Sequence, residues 1–395
     1  MESLFGLAKY AVLLVSTFPL IYYAIAIFST LRFFKNPATQ PHPRSGYTPP
    51  VTNLKPVKGL DPDAYENFAS FCRQDYPEYE ILFCVDRNDP GVPVLEKLVA
   101  DFPEVKIRLL FGSGREAIND KVARLARLAS EASYETVVIS DSDVRVGPDY
   151  LRTVVAPLAD PAVGAVTCFY AHSDESTLAE HLQTVGMVSD FYPGILTAWQ
   201  LDGVKFALGP TIATTRTRLA GFGGYQAIEN QPGDDLLVGR LIAEQGYRVE
   251  LLAYSVEAVA DYHSLFDLVQ KRLRWIIVMR HMRPWGHLGL VFTWGLFWAL
   301  AAIAVHPTLP VALGYLGAYL ILRLTLTCLV GSWGLKLRGL WKELVLVPVW
   351  DTLALGIWLA SFARKTVRWR GAQYYIRDGM LVPAAPRSAE VSLGD

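Results

Sequence analysis

The chain has 395 residues, and its 37 Lys and Arg against 38 Asp and Glu leave a formal charge of −1, which excludes a protein built to coat nucleic acid. Hydrophobic residues make up 52% of the chain and charged residues only 19%, below the ~25% of an average soluble domain. The apolar excess lies at the two ends of the sequence, which predicts a membrane protein with a large polar insert. The four cysteines form neither a CxxC pair nor a zinc-ligand spacing, so no disulfide framework or structural metal cluster is expected.

The N-terminal segment 5–34 is apolar and carries only two charges, Lys9 and Arg32. It is long enough to cross a hydrocarbon core of ~30 Å, and it exceeds the ~7–15 apolar residues of a cleaved signal peptide. We therefore predict an uncleaved transmembrane anchor. The basic residues Arg32, Lys35 and Arg44 favour a cytoplasmic location for its C-terminal end.

Residues 46–285 form the polar insert, in which short β-rich runs alternate with segments of helical periodicity. The predicted strands are 51–54, 80–85, 105–111 and 136–140, and the predicted helices between them are 63–73, 92–102 and 121–130. This alternation is typical of an α/β domain with a parallel or mostly parallel sheet. Such sheets bind ligands at the carboxyl ends of their strands, so we expect the functional site there.

The C-terminal region 287–363 is apolar again. Basic residues flank the segments 288–305 and 311–333 on both sides, which predicts a transmembrane hairpin with its turn at 306–310. The segment 344–362 is followed by a further basic cluster, so we predict a re-entrant or interfacial helix there. Arg323 inside the second span needs a partner, and Asp351 is the candidate. The tail 383–395 is expected to be flexible.

Acidic residues follow two of the predicted strands. Asp86 comes directly after the second strand, and Asp141-Ser142-Asp143 follows the fourth. An Asp-x-Asp sequence at a strand end places two carboxylates on one side of the chain, which suits a divalent cation bound to phosphates. A simple turn is the alternative. A third acidic sequence, Asp61-Pro62-Asp63, is interpreted as a helix N-cap.

Two later sequences complete the set of candidates. Gly233-Asp234-Asp235 precedes a helical pattern, where it is either a helix N-cap or the source of a catalytic carboxylate. The stretch from Gln270 to Trp275 places Gln270 and Arg274 on one helix face, where the alternative is a juxtamembrane basic helix. His263 is interpreted as a solvated loop residue rather than a metal ligand, and Asp190 as an exposed helix position.

Taken in order, these residues resemble the D, D, D, (Q/R)xxRW series of inverting GT-A glycosyltransferases. The closer resemblance is to membrane ceramide glucosyltransferases and the related bacterial enzyme that glycosylates hopanoids, and it covers residues 49–289. Early sequences of that group also have counterparts here, in 54–61, 74–80 and Ile118-Asn119-x-Lys121. Eukaryotic members tend to lack the second acid of the D-x-D sequence, which is Asp143 here.

The resemblance implies a Rossmann-like GT-A domain in the cytoplasm, with an N-terminal transmembrane anchor and a C-terminal transmembrane helical region. It implies that Asp235 is the general base and that Asp141 and Asp143 hold a divalent cation, Mg²⁺ or Mn²⁺. The residues implied to bind the donor are Lys55, Asp86, Lys121, Asp141, Gln270, Arg274 and Trp275. No candidate for a second nucleophile is evident, which favours a single displacement with inversion.

The function implied is transfer of a hexose from a nucleotide sugar, UDP-glucose first, to the hydroxyl of a ceramide-type lipid. Transfer of N-acetylglucosamine to a hopanoid and glycosyl transfer to polyprenyl phosphate are alternatives within the same class. A membrane-anchored sugar-nucleotide binder without catalysis is the alternative from another class. The expected partners are the donor, the lipid acceptor and membrane lipids, with no nucleic acid, and the expected location is a bacterial inner membrane.

Overall fold

The computed structural model describes residues 2–42, 46–115, 117–172, 175–259, 262, 264–369 and 372–384. The described chain consists of N-terminal helices, a domain built on one large sheet, a group of apolar helices and a small C-terminal sheet. The strands of the large sheet are β1 (Val51–Pro56), β2 (Tyr79–Val85), β3 (Lys106–Phe111), β4 (Thr136–Ile139), β5 (Val144–Arg145), β6 (Val163–Ala171), β7 (Ile212–Thr215) and β8 (Arg248–Ala258).

The helices of the described chain pack against this sheet and against one another. They are α1 (Glu2–Val15), α2 (Phe18–Lys35), α3 (Ala64–Cys72), α4 (Val92–Asp101), α5 (Asp120–Glu131), α6 (Tyr150–Val155), α7 (Leu178–Gly186), α8 (Tyr192–Asp202), α9 (Arg216–Gly221), α10 (Asp234–Glu244), α11 (Leu265–Met282), α12 (Pro284–Gly289), α13 (Gly295–Val305), α14 (Leu309–Cys328) and α15 (Val347–Ala363).

The large sheet has the order β3-β2-β1-β4-β7-β6-β8-β5. Its first four strands are parallel, with β1 between β2 and β4, as the alternating sequence pattern predicts. Beyond β4 the sheet is mixed, because β7 pairs antiparallel with both β4 and β6. All six residues of β1 are buried, since the strand is central and covered on both faces. The carboxyl ends of β2, β1 and β4 therefore meet at one edge.

Three helical segments of the described chain are long and apolar enough to cross a membrane, namely Gly6–Lys35, Leu309–Gly334 and Leu340–Ala363. A fourth meets the same standard if Pro284–Thr293 and Gly295–Val305, which are bent by 55°, count as one span. The bend follows from Trp294, whose backbone leaves the helical conformation (φ −79°, ψ 72°). Segment 344–362, expected to be re-entrant or interfacial, thus lies in a span-length helical segment, whereas the sharp bend occurs at Trp294, within the segment 288–305 that was expected to be a straight span.

A small antiparallel sheet follows the last apolar helix. Its strands are β9 (Thr366–Trp369), β10 (Ala372–Arg377) and β11 (Met380–Pro383). Leu381 and Ile376 pack with Leu273 and Ile277 of α11, and the N–H of Leu381 donates to the carbonyl of Asn230 at 2.7 Å. This sheet is not predicted by the sequence pattern. The expected flexible tail lies outside the described residues from position 385 onward.

The expected ion pair between Arg323 and Asp351 is confirmed. The guanidinium of Arg323 donates to both carboxylate oxygens of Asp351, and Tyr319 donates to the same carboxylate at 2.9 Å. Arg323 also donates to the carbonyl of Ser189 in the sheet domain. Both charged side chains are 4% exposed. One buried ion pair therefore links α14, α15 and the segment between α7 and α8.

Because both charges are buried, removal of one partner should cost more than removal of both. We expect Arg323→Met or Asp351→Val alone to lower the free energy of unfolding by about 3–5 kcal/mol, since each leaves an unpaired buried charge. The double variant should lose clearly less than the sum of the two. Thermal unfolding of the detergent-purified variants measures this, and additive losses would contradict the pairing.

Candidate active site

The carboxyl ends of three neighbouring strands bring the predicted acidic residues to one edge of the sheet. Asp86 follows β2, and Asp141 and Asp143 lie in the turn after β4. Lys55 stands between them near the end of β1, where its register partner is Phe83 of β2. The arrangement agrees with the general location of ligand sites in open α/β sheets.

Lys55 supports the turn that carries Asp141 and Asp143. Its side chain is fully buried, and its Nζ donates to the carbonyl of Asp141 at 2.7 Å and to Oγ of Ser140 at 3.4 Å. The ammonium lies 3.6 Å from the ring centre of Phe71. Burial lowers the pKa of Lys55 to about 7, against the opposing effect of Asp141 and Asp143. The contacts of Lys55 are thus to the backbone beneath the site.

Asp61 lies beside the same turn, although the sequence analysis interpreted it only as part of an N-cap. The hydroxyl of Ser142 donates to Oδ2 of Asp61 at 2.5 Å. Helix α3 begins at Ala64 and Asp63 occupies its N-cap position, as predicted, although the Asp63 side chain makes no capping hydrogen bond. Burial raises the pKa of Asp143 to about 6, and the nearby carboxylates of Asp141 and Asp61 add to the rise.

Asp141 and Asp143 fit the ligand chemistry of a divalent cation, because hard cations take carboxylate oxygens and the mutual repulsion of the two acids is relieved by positive charge. The residues that the structure describes contain no group of three or more His, Cys, Asp or Glu side chains that could hold a metal ion. His263 lies outside the described residues. The two aspartates therefore offer a partial set of ligands, of the kind that a bound diphosphate completes.

Asp235 lies at the start of α10, whose N-cap is Gly233 in the left-handed conformation (φ +72°). Its Oδ2 accepts the N–H of Gly209 at 3.0 Å, and its Oδ1 accepts the N–H of Leu236 at 2.9 Å. Burial raises the pKa of Asp235 to about 6, with a further rise from Asp234 and a lowering effect from Lys121. The side chain is thus oriented by the backbone and poised to exchange a proton near neutral pH.

Asp234 has a different environment from its neighbour. Lys121 of α5 forms ion pairs with Oδ2 of Asp234 at 3.2 Å and with Oδ1 of Asp141 at 2.7 Å. Burial alone would lower the pKa of Lys121, but Asp141 and Asp234 raise it above its usual value. Lys121 therefore stays charged and connects the turn after β4 to the start of α10. This pairing engages Asp234 and leaves Asp235 as the acid without a direct cation contact.

Gly209, which the sequence analysis missed, lies between the two groups of acids. A methyl group on its Cα would stand 3.1 Å from Oδ2 of Asp141 and 3.2 Å from Oδ2 of Asp235. The two carboxylates thus border one small space, and only a residue without a side chain leaves it open. The local signal is the Gly209-Pro210 pair, which by itself predicts a turn and nothing more.

Asp86 lies at the other side of the site. Its Oδ2 accepts from Arg124 at 2.5 Å, and Arg124 is buried between Asp86 and Asp120. Half of the Asp86 side chain remains exposed, at 52%. The carboxylate is therefore held in place by one guanidinium while its other oxygen faces solvent.

Helix α11 carries the remaining predicted residues. Gln270, Arg274 and Trp275 are half-buried on this helix, and the ring of Trp275 lies 5.7 Å from that of Phe191. Lys271, which the sequence analysis did not select, acts electrostatically on Asp143 and lies over the ring of Tyr262 at 4.6 Å. The helix thus supplies a cation to the acidic turn and an aromatic side chain towards α8.

A family model described as Glycosyl transferase family 21 matches residues 11–382. Ceramide glucosyltransferase 3 of Caenorhabditis elegans is 25% identical over 259 residues, which are 62% of this chain and 53% of the relative. Ceramide glucosyltransferase of Komagataella phaffii is 41% identical over 101 residues, 24% of this chain and 20% of the relative. The chain spans about half the length, or less, of these relatives.

A solved mannosyltransferase of Pyrobaculum calidifontis, in complex with GDP-Man and Mn²⁺, resembles the whole architecture. Its TM-score is 0.60 at 21% identity, and the match covers 89% of this chain and 98% of that one. At this identity the likeness concerns the fold alone. It confirms the predicted GT-A fold.

The contact between Asp61 and Ser142 predicts energetic coupling between two residues that are 81 positions apart in sequence. We expect the losses of stability in Asp61→Ala and Ser142→Ala to be non-additive by about 0.5–3 kcal/mol, since either change removes the same hydrogen bond. The exposed Asp63 is the matched control, and Asp63→Ala combined with Ser142→Ala should be additive. Thermal unfolding of the three single and two double variants measures the coupling, and equal coupling of Asp61 and Asp63 to Ser142 would contradict it.

Proposed function

Because the chain belongs to glycosyl transferase family 21, we propose that it is a membrane hexosyltransferase that moves a sugar from a nucleotide donor to a lipid hydroxyl with inversion. The observation that carries this proposal is Asp235, a half-buried carboxylate with a pKa raised to about 6 that shares one small space with Asp141. The names of the relatives favour ceramide as the acceptor and glucose as the sugar, and we propose UDP-glucose as the donor.

The donor is proposed to lie along the strand ends, from Asp86 to Asp235. Asp86, oriented by Arg124, would accept hydrogen bonds from the nucleoside. Asp141 and Asp143 would hold Mg²⁺ or Mn²⁺, which when bound neutralises charge on the leaving diphosphate. Lys121 and Arg274 add positive charge, and the guanidinium of Arg274 suits phosphate oxygens because it offers paired donors. Lys55 contributes by fixing the backbone of the turn.

Asp235 is proposed to remove the proton from the attacking lipid hydroxyl. Its two hydrogen bonds from backbone N–H groups fix the carboxylate orientation. A pKa near 6 keeps most of it ionised at neutral pH while leaving it more basic than an ordinary aspartate. With one base and one displacement, the anomeric configuration of the sugar is inverted.

The apolar helices give the protein its membrane location and would present the site to lipid at the interface. We propose that the sheet domain is cytoplasmic, since basic residues follow the N-terminal helix and flank the C-terminal helices, and that the membrane is a bacterial inner membrane. A cysteine introduced at Thr308 should react with an impermeant maleimide in intact cells, and one at Arg338 should not. The reverse pattern would overturn this orientation.

Mass spectrometry of lipid extracts tests the function directly. Cells that contain ceramide and express the chain should accumulate a hexosylceramide, and cells that express Asp235→Asn should not. A new aminosugar hopanoid or a glycosylated polyprenyl phosphate would replace the acceptor assignment. Equal lipid profiles for both chains would contradict enzymatic transfer.

Substitution of the two neighbouring acids separates the base from the ion-paired residue. Asp235→Asn should lower kcat by at least ~10²–10⁴-fold with near-normal donor affinity, because a general base acts in the transition state. Asp234→Asn, which loses the ion pair with Lys121, should instead show its main effect on donor binding. Turnover and donor titration of both variants distinguish these outcomes, and a larger kcat loss in Asp234→Asn would reassign the base.

The pH dependence follows from the raised pKa of Asp235. Below a pH of about 6 the carboxylate is mostly protonated and cannot accept the proton, so kcat should fall about tenfold per pH unit there and level off above pH 7. The measurement is kcat at saturating donor and cation, with activity restored on return to pH 7.5 as the check against unfolding. Full activity down to pH 4 would show that the base titrates elsewhere.

Removal of divalent cations tests the role of Asp141 and Asp143. We expect turnover to stop in excess chelator and to return on addition of Mn²⁺ or Mg²⁺, since the diphosphate leaving group then regains its counter-charge. Asp143→Asn should need a higher cation concentration for half-maximal activity. Unchanged turnover in chelator would rule the cation out.

A further inference from the structure

A single π-helical turn, Met187–Phe191, joins α7 to α8 at the boundary between the sheet domain and the apolar helices. Such turns widen a helix locally and occur frequently at functional sites. The turn carries Asp190, which is half-buried rather than exposed as the sequence analysis expected. The charged residues that act most strongly on this carboxylate are Arg323 of α14 and Arg272 of α11.

Arg323 is already neutralised by Asp351 and donates to the carbonyl of Ser189. Arg272 has a different set of contacts. Its Nε donates to Oε1 of Gln183 at 2.8 Å, and its guanidinium lies 4.9 Å from the ring of Trp275 and 4.7 Å from that of Trp350. Among the described residues, no carboxylate lies within ion-pair distance of Arg272. Arg272 is only 6% exposed, and its guanidinium therefore has N–H groups available to a further acceptor.

Two further buried donors lie beside Arg272. Nε2 of Gln183 has no partner among the described residues, whereas Nε1 of Trp350 acts on the carboxylate of Asp190 as a hydrogen-bond donor. Trp350 packs directly against Gly186, where a methyl group would lie 2.4 Å from its indole ring. Buried polar atoms in native proteins are nearly always paired, so unused donors grouped in one place point to a polar ligand. The group thus offers one carboxylate and several unused N–H donors.

The same group adjoins both the catalytic side and the lipid side of the molecule. The charges of Arg272 and of Asp235 both act on the hydroxyl of Tyr170, a buried residue of β6. The half-buried rings of Phe191 and Trp275 lie 5.7 Å apart next to Asp190 and Arg272. Asp190 also acts on Tyr22 of α2, which belongs to the first apolar segment.

We propose that Gln183, Asp190, Arg272 and Trp350 recognise an amide in the acceptor lipid, next to the hydroxyl that receives the sugar. An amide has one N–H donor and one carbonyl acceptor, which match the carboxylate of Asp190 and the unused donors of Arg272 and Gln183. A polycyclic lipid with hydroxyls only leaves part of the group unpaired. A phosphate lipid offers acceptors only and is repelled by Asp190. This inference rests on the proposed lipid glycosyl transfer and assigns its selectivity to these residues.

The experiment compares two acceptors that differ at the amide. Short-chain ceramide has a primary hydroxyl beside an amide, whereas a diacylglycerol of equal chain length has a primary hydroxyl beside ester carbonyls and no N–H. With UDP-glucose as donor, Asp190→Ala in the full chain should lower kcat/KM for ceramide by about ten- to a hundredfold, the value of a hydrogen bond to a charged group. The kcat/KM for diacylglycerol and the donor KM should stay unchanged, so the preference for ceramide collapses.

Two further variants complete the design. Asp202→Asn, at the exposed end of α8, is the matched control and should behave as the wild type. Asp190→Asn keeps the size of the side chain, and it tests the recognition of the amide N–H if Asp190→Ala does not fold. It removes the charge that receives the N–H, and it should reduce the ceramide preference in the same direction.

The experiment distinguishes failure of the proposed function from failure of the amide inference. If the wild type transfers hexose to no lipid, the proposed function itself is wrong. If it glycosylates ceramide but the Asp190 variants lose activity equally on both acceptors, or on neither, the amide inference is overturned and the proposed function stands. A wild type whose kcat/KM for diacylglycerol or a hopanoid equals its kcat/KM for ceramide also overturns it.

Discussion

A concentration of carboxylates at one edge of the sheet is possible only because the buried Lys55 and the half-buried Lys121 are placed among them. Five carboxylates repel one another in this partly buried environment, namely those of Asp61, Asp141, Asp143, Asp234 and Asp235. Burial and this repulsion together raise the pKa of Asp143 and the pKa of Asp235 to about 6. Lys55 binds the turn from below, and Lys121 joins the turn to the start of α10. The separation between Asp141 and Asp235 thus depends on charge balance as well as on packing. Gly209 then keeps the space between them open.

The parts of the fold that the sequence predicts well are those determined by local patterns. The first four strands and the helices α3, α4 and α5 begin and end within about two residues of the expected positions, because alternating burial and helical periodicity are local signals. Asp86, Asp141 and Asp143 were found because they directly follow such strands. Asp235 was identified only through the family resemblance, because a glycine followed by two acids is also the pattern of an ordinary helix start.

The residues that were missed depend on contacts distant in sequence. Asp61 belongs to the site because the hydroxyl of Ser142 donates to it, and Gly209 belongs to it because Asp141 and Asp235 lie on either side. Nothing within a few residues of either position carries that information. Lys55 was selected, but its burial under the turn could not be inferred from its neighbours. The C-terminal sheet was missed because its strands are short and their partner surface on α11 is formed by the fold.

The C-terminal sheet has a practical consequence for work with this protein. Strand β11 is fixed to Asn230, three residues before Gly233, the N-cap of the helix that carries Asp235. The N–H of Ala384 also donates to the carbonyl of Gln373. A truncation that removes β11 would therefore take away a backbone support of the loop that leads into α10, although it would delete no residue of the proposed site.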